Sequence, residues 1–415
     1  MPRTPSERCR IHRVDDNQEG GTAWVVVAAA FVSMFTVFGV VYSFGVFFEP
    51  MAREFGTGLG PTSVVFAVTA FLFFELGAVT GPVADRLGPR PVVVVGAGAT
   101  GAGLILTAAV PSIWLGYLTY GLGVGLGTAC GYVPMVAAVG GWFQRRRALA
   151  IGIAVSGIGV GTLAVPPVAA LLVGPLGWRR TYILFGLATL LLLSACALAA
   201  QRPPAGSRSG LQLGRAVRTR EFGWLYGSGL LSSFALFLAL VHIVPYAIKL
   251  GTAPVAAAGL ISVVGVGSAA GRLGLGWAAE GLGAVRTFQL SIGILIASYV
   301  LWYLAPGYAT LAAFALVLGL GYGGWVALSP SVMADLFGSE GLGGSLGALY
   351  TAAGIGALLG PPFAGFLVDA TNSYRPAILT ALCLAVAAGL LIAPLPVRRV
   401  TSDAEAGVET RRRVS

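Results

Sequence analysis

Charge is what this chain has least of. Only 10% of its 415 residues are Asp, Glu, Lys or Arg, against about 25% in ordinary soluble domains. That scarcity excludes a water-soluble fold of this length. Histidine occurs twice. The four cysteines (Cys9, Cys130, Cys196 and Cys383) share no metal-ligand spacing, and three lie inside apolar runs where inert thiols are expected. No nucleotide-binding loop is present, nor a catalytic triad within a soluble domain. The glycine-rich stretches sit inside apolar helices instead of following a strand. Neither an enzyme nor a metal- or cofactor-dependent protein is expected. The net charge of +10 does not point to nucleic acid, because the basic residues sit in tails and short loops, where they face anionic lipid.

What fills the chain is hydrocarbon. Hydrophobic residues make up 56% of it, with 61 glycines that let membrane helices approach closely. The apolar runs predict twelve helical spans at 24–48, 61–80, 91–110, 113–140, 148–172, 178–200, 222–249, 255–278, 286–305, 308–335, 341–368 and 374–396. Each is near or above the roughly 20 residues that cross a bilayer. The run from Trp24 is too long for a signal peptide and reads as the first span. The polar, basic segment 201–221, QRPPAGSRSGLQLGRAVRTRE, separates two sets of six. The expected organisation is a tail over 1–21, a six-helix bundle over 22–200, a linker over 201–221, a second bundle over 222–396 and a tail over 397–415. Twenty of the 26 Lys and Arg residues fall in the tails and in loops on one side. Five lie opposite: Arg53, Arg179, Arg180, Lys249 and Arg375. By the positive-inside rule both termini face the cytoplasm.

The remaining basic residue is Arg272, alone within ISVVGVGSAAGRLGLGWAAE (261–280). A guanidinium near the middle of a spanning helix costs roughly 3 kcal/mol on insertion scales unless it is answered. Either a protein acid or backbone carbonyls pair with it, or it faces a watered cavity and binds an anion. Its planar fork of donors suits a carboxylate in bidentate geometry. Ser268, one turn earlier, offers only a hydroxyl. No acid on the same helix competes for the charge.

The two sets of spans echo each other. GPVADRLGPR follows the second span, with Asp85, Arg86 and Arg90; GWAAEGLGAVR follows the eighth, with Glu280 and Arg286. Glycine permits tight passage between helices there, and the charges suit caps and gate contacts. A repeat of six plus six helices with a basic linker resembles the major facilitator superfamily, and GPVADRLGPR matches its cytoplasmic loop motif. The resemblance implies an all-α membrane fold in which two bundles rock about a midplane site.

Further segments resemble the monocarboxylate transporter family: EGGTAWVVV from Glu19, GYVPMVAAVGGWFQRRRALAIGIAVSGIGVG from Gly131, VHIVPYAIKLG from Val241, and ADLFG at 334–338. The resemblance implies proton-coupled transport of lactate, pyruvate or a related short acid, and it places Arg272 on the family's carboxylate-binding arginine. There are departures. Ser268 stands where an aspartate is common, and Tyr42 stands where many members have a lysine. No second cation lies in the span 341–368, which favours a monocarboxylate over a dicarboxylate. The missing aspartate and lysine leave proton coupling open against a proton-independent exchanger or uniporter, including one of oxalate/formate type.

Around Arg272, hydroxyls and aromatic walls are expected from Tyr322, Tyr120, Tyr42 and Tyr350, with Phe38 and Phe74 limiting substrate length. Each of these also fits a core or lipid-facing position. Two residues are candidates for the proton. His242 has the right chemistry, and also fits a packed position bonded to Tyr246. Glu75 lies inside FLFFELGAV, and also reaches the cytosolic boundary near Arg86 and Arg90. The expected partners are a short monocarboxylate, a proton and membrane lipid, with the protein acting as a monomer in a bacterial inner membrane.

Overall fold

The computed structural model describes residues 21–143, 147–202, 218–337 and 342–396. Most of both tails, linker residues 203–217 and the arginine loop at 144–146 lie outside these. The described chain is helical, without strand. Its helices are α1 (Gly21–Phe55, interrupted at Ser43), α2 (Leu59–Leu87), α3 (Pro89–Thr107), α4 (Ile113–Trp142), α5 (Arg147–Ala199), α6 (Arg220–Lys249), α7 (Pro254–Leu282), α8 (Ala284–Tyr303), α9 (Tyr308–Phe337), α10 (Leu342–Thr371) and α11 (Arg375–Ile392). Among the described residues, eleven helices are long and apolar enough to cross a membrane.

The sequence predicts two spans within 147–199, and α5 is two helices that meet at a kink. At 1.5 Å per residue its 53 residues would reach about 80 Å, far beyond a hydrocarbon core of about 30 Å. The run is broken at Gly177, whose φ of 75° and ψ of 165° are not helical. Gly88 (φ 93°, ψ 161°) and Gly283 (φ 86°, ψ 149°) share that conformation. Both of those end one helix and open the next with no loop between, and each donates its N–H four residues back, to Ala84 and Ala279. Only glycine readily adopts such angles. The repeated acid-glycine-arginine segments are thus matched in the backbone, and Gly177 divides α5 into arms 147–176 and 178–199 by the same turn.

Glycines at i, i+4 spacing set the helix pairs. A Cβ at Gly157 or Gly161 would overlap the carbonyls of Phe31 and Phe35, so the first arm of α5 lies directly on α1. Gly267 and Gly271 meet Leu316 and Leu320, while Gly319 and Gly323 meet Val264 and Ser268, locking α7 to α9. Gly356 and Gly360 bring α10 onto α6 at Leu230 and Phe234. These are small-residue seams of the kind that hold membrane helices without a hydrophobic driving force. The second arm of α5 packs on α3 through Gly101, Gly186 and Leu190. Large apolar residues such as Leu191 and Leu198 form outward faces.

Contacts between the earlier and later helices run along α2–α10 and α5–α7. Gly60 abuts Gly365, and Ser262 Oγ donates to the Leu163 carbonyl at 2.5 Å. These seams flank the region where Arg272 sits.

Gly161→Val places a branched side chain against the Phe35 carbonyl and is expected to destabilise the α1–α5 seam by about 1–3 kcal/mol. Gly152→Ala, at a helical position with open space, is expected to be neutral or slightly stabilising. Thermal unfolding of the two purified variants in one detergent checks the contrast.

Candidate functional site

Ser268 and Arg272 lie one turn apart on α7. On the opposite face Leu273 and Trp277 are 77% and 76% exposed, so α7 presents a greasy side outward and a polar side inward. The inward side borders a cavity of about 20 Å³ lined by Tyr42, Thr162, Ser268, Arg272 and Tyr322, with apolar walls that include Ile158, Leu240 and Val264. These residues come from α1, α5, α6, α7 and α9, so the pocket lies where the earlier and later helices meet.

No hydrogen bond or ion pair answers Arg272 among the described residues, and its Nε is buried without a partner. Ser268 Oγ is likewise buried and unbonded. The Tyr42 and Tyr322 hydroxyls lie 3.2 Å apart, linking α1 to α9 across the pocket. Tyr132 and Tyr350 do not line the pocket but lie within electrostatic range of Arg272. A bare guanidinium surrounded by hydroxyls, with no carboxylate beside it, can receive a small anion. The space in this state suits about one water molecule, since a cavity needs only about 10–15 Å³ for that. A three-carbon acid requires the walls to part.

The expected aromatic residues divide. Phe38 stacks on Tyr42 at 6.0 Å and meets Tyr132 edge-on at 5.3 Å, forming the layer behind the tyrosines. Phe74 packs on Phe73 and Phe237 and lies beside Gly354 of α10. Tyr120 stands apart from the pocket. It lies within a π segment, Tyr117–Leu122, packs against Phe44 and Tyr182, and donates to the Val40 carbonyl at 3.5 Å. Thr162 lines the pocket and was missed by sequence reasoning, as was Tyr132, which stands one layer back against Phe38. Tyr132 stands within GYVP, but α4 is apolar all round, so periodicity does not mark which face turns inward.

His242 is fully buried. Its Nε2 meets the Pro361 carbonyl at 2.9 Å in place of the Tyr246 hydroxyl, and its Nδ1 has no partner. It packs against Phe48 and Tyr374, outside the residues lining the pocket. Glu75 pairs with neither Arg86 nor Arg90. Its Oε1 is buried and unbonded, turned toward Gly354 across the α2–α10 seam. Arg86, Arg90, Glu280 and Arg286 are exposed. The Arg86 carbonyl accepts from Arg202 at 2.6 Å, and Arg90 and Arg202 share a separate cavity of about 430 Å³. The side chain of Asp85 lies outside the described residues. No cluster of His, Cys, Asp or Glu among the described residues is arranged to hold a metal.

A model of the Major Facilitator Superfamily matches residues 29–308 and again 250–414. Monocarboxylate transporter 3 of Rattus norvegicus is 33% identical over 395 residues, covering 90% of this chain and 80% of the relative. Monocarboxylate transporter 11 of Homo sapiens is 31% identical, covering 91% and 84%. Among solved structures, an inward-facing, unoccupied bacterial homologue of the human lysosomal transporter Spinster superposes with a TM-score of 0.74 at 15% identity, over 90% of this chain and 96% of that one. The nucleoside transporter NupG gives 0.72 at 13% identity, over 90% and 99%. At such identities the structures show a shared fold.

An unanswered guanidinium weakens the fold that carries it. Arg272→Met is therefore expected to raise the melting temperature in detergent, and Ser268→Ala to leave it unchanged or slightly higher. Scanning fluorimetry of the purified proteins checks both.

Proposed function

The chain belongs to the major facilitator superfamily and is related to the monocarboxylate transporters, and on that premise we propose that it carries a short monocarboxylate such as L-lactate or pyruvate together with a proton. It is an integral membrane transporter and not an enzyme, moving a small solute by alternating access. The observation that carries the finer reading is Arg272, a guanidinium without a partner among the described residues, on the wall of a hydroxyl-lined pocket between the earlier and later helices.

The charge logic is direct. A carboxylate arriving from either side accepts from the Arg272 fork, and the neutralised pair is tolerated when the pocket closes. Tyr42 and Tyr322 exchange their mutual bond for contacts to the cargo, with Ser268, Tyr132 and Tyr350 as further hydroxyls. Phe38 and Phe74 back this wall and bound the length of the acid. Glu75 is the proton site: a carboxyl at the α2–α10 seam with no cation beside it gains and loses a proton without breaking an ion pair. His242, held by the Pro361 carbonyl, serves as packing.

In this reading twelve spans form two six-helix bundles, 22–200 and 222–396, joined by a cytoplasmic linker at 201–221. Both tails are cytoplasmic, and Asp85, Arg86, Arg90, Glu280 and Arg286 lie in cytoplasmic gate loops. The protein works as a monomer in a bacterial inner membrane. Proton-independent exchange is the competing reading, favoured by the lack of any carboxylate beside Arg272.

Flux of labelled L-lactate into proteoliposomes, with and without an imposed pH gradient, tests the proposal. Inward-acid gradients should slow uptake and outward-acid gradients accelerate it. Arg272→Ala should lower flux by about 30-fold or more, as expected when the charge that pairs with a bound carboxylate is removed, with Arg272→Lys restoring little. Glu75→Gln should abolish the response to the gradient while counterflow persists. Undiminished lactate flux in Arg272→Ala overturns the binding role. Gradient-insensitive counterflow in the unaltered protein establishes exchange instead.

A further inference from the structure

The first turn of α2 has no cap of its own. Its N-cap residue is Gly58, which has no side chain to accept a hydrogen bond. Pro61 has no N–H, so Leu59 and Gly60 are the donors left open in that turn. Both are taken by one residue 309 and 310 positions away. Asp369, two residues before the end of α10, accepts from Leu59 N–H through Oδ1 at 2.9 Å and from Gly60 N–H through Oδ2 at 2.8 Å.

The surroundings are built for this contact. A Cβ at Gly58 would overlap the Asp369 carboxylate, one at Gly60 the Phe366 ring, and one at Gly365 the backbone of Gly60. Three glycines therefore allow the end of α10 to lie against the start of α2. Among the described residues, the other polar side-chain links between 21–199 and 220–392 are Tyr42–Tyr322 and Ser262 to Leu163. Asp369 alone contributes a formal charge, aimed at the positive end of a helix dipole. Lys249, the nearest cation on α6, donates instead to the Asn372 carbonyl.

We propose that Asp369 is the latch of the non-cytoplasmic gate: a carboxylate on one bundle caps a helix of the other only while that side is closed. Resting on the alternating-access mechanism and on the sidedness set out above, the inference assigns a function to a missing cap. An ordinary N-cap stays with its helix through every motion. Here the cap belongs to the moving partner, so opening the outer side strips α2 of both hydrogen bonds and leaves Asp369 to water. The carboxylate thereby weights the closed state, and the cargo must offset its release in each cycle.

The test reads conformation directly and uses no cargo, so its failure is distinct from a failure of the lactate assignment. Spin labels at Pro111→Cys and Pro306→Cys, on outer loops of the two bundles, report the opening by pulsed electron resonance in the full chain. The background has its four native cysteines replaced. Loss of a helix cap changes an equilibrium by roughly a few-fold to thirtyfold. Asp369→Asn is expected to increase the ratio of long to short distances by that amount, and Asp369→Ala by at least as much. The double variant Gly58→Asp/Asp369→Ala supplies α2 with a cap of its own, now that the space opposite Gly58 is empty. It should recover thermal stability while remaining shifted to long distances. An unchanged distance distribution in both single variants overturns the latch. Restoration of the short distance by Gly58→Asp also overturns it, since Asp369 would then be an ordinary structural cap.

Discussion

A guanidinium placed inside a membrane-length helix imposes the central constraint on this molecule. Burying an unmatched charge is costly, and the rest of the architecture is arranged so that Arg272 need not meet lipid. Its helix turns Leu273 and Trp277 outward and Ser268 inward. Helices from both ends of the chain close around the inward side, and tyrosine hydroxyls line it in place of a carboxylate. A permanent acidic neighbour would relieve the cost and also occupy the fork. The protein instead keeps the charge available and tolerates the loss in stability.

Close helix contact makes that tolerance possible. In lipid, apolar side chains gain little by leaving one surrounding for another, so dispersion contacts between backbones carry much of the association. The seams of α1 with α5, α7 with α9 and α6 with α10 all use glycine pairs four residues apart. Each seam lies among earlier helices or among later ones. Of the contacts that join the two sets, α2–α10 is as extensive as these seams and again sets glycine against glycine, Gly60 on Gly365, while Tyr42–Tyr322, Ser262 and Asp369 add polar links across the junction.

Much of the fold is legible in the sequence because bilayer thickness and backbone hydrogen bonding leave few options. Most span positions and the matched turns at Gly88 and Gly283 follow from run length, charge placement and glycine. The division of α5 at Gly177 agrees with the two spans expected at 148–172 and 178–200, but the form of the break is less visible, because a one-residue turn leaves no polar loop. The site is legible where burial is expensive: Arg272 announces itself by cost alone, and Tyr42 and Tyr322 are expected beside it and lie there. Tyr120 and Tyr132 show the limit. Both sit on α4, which is apolar on every face, and the π turn that contains Tyr120 alters the register that an ideal helix would give. Which tyrosine turns inward depends on that local geometry and on packing, neither of which periodicity encodes. The pairing of Asp369 with α2 is equally hidden, since nothing in sequence spacing links residues so far apart.

The small pocket at Arg272 has a consequence for leakage. A chamber of about 20 Å³ holds a single water, and a single water is not a wire. Protons cross membranes readily along unbroken files of hydrogen-bonded water, and such a file cannot assemble through this constriction. In this state the walls at Arg272 leave no room for a continuous column of solvent.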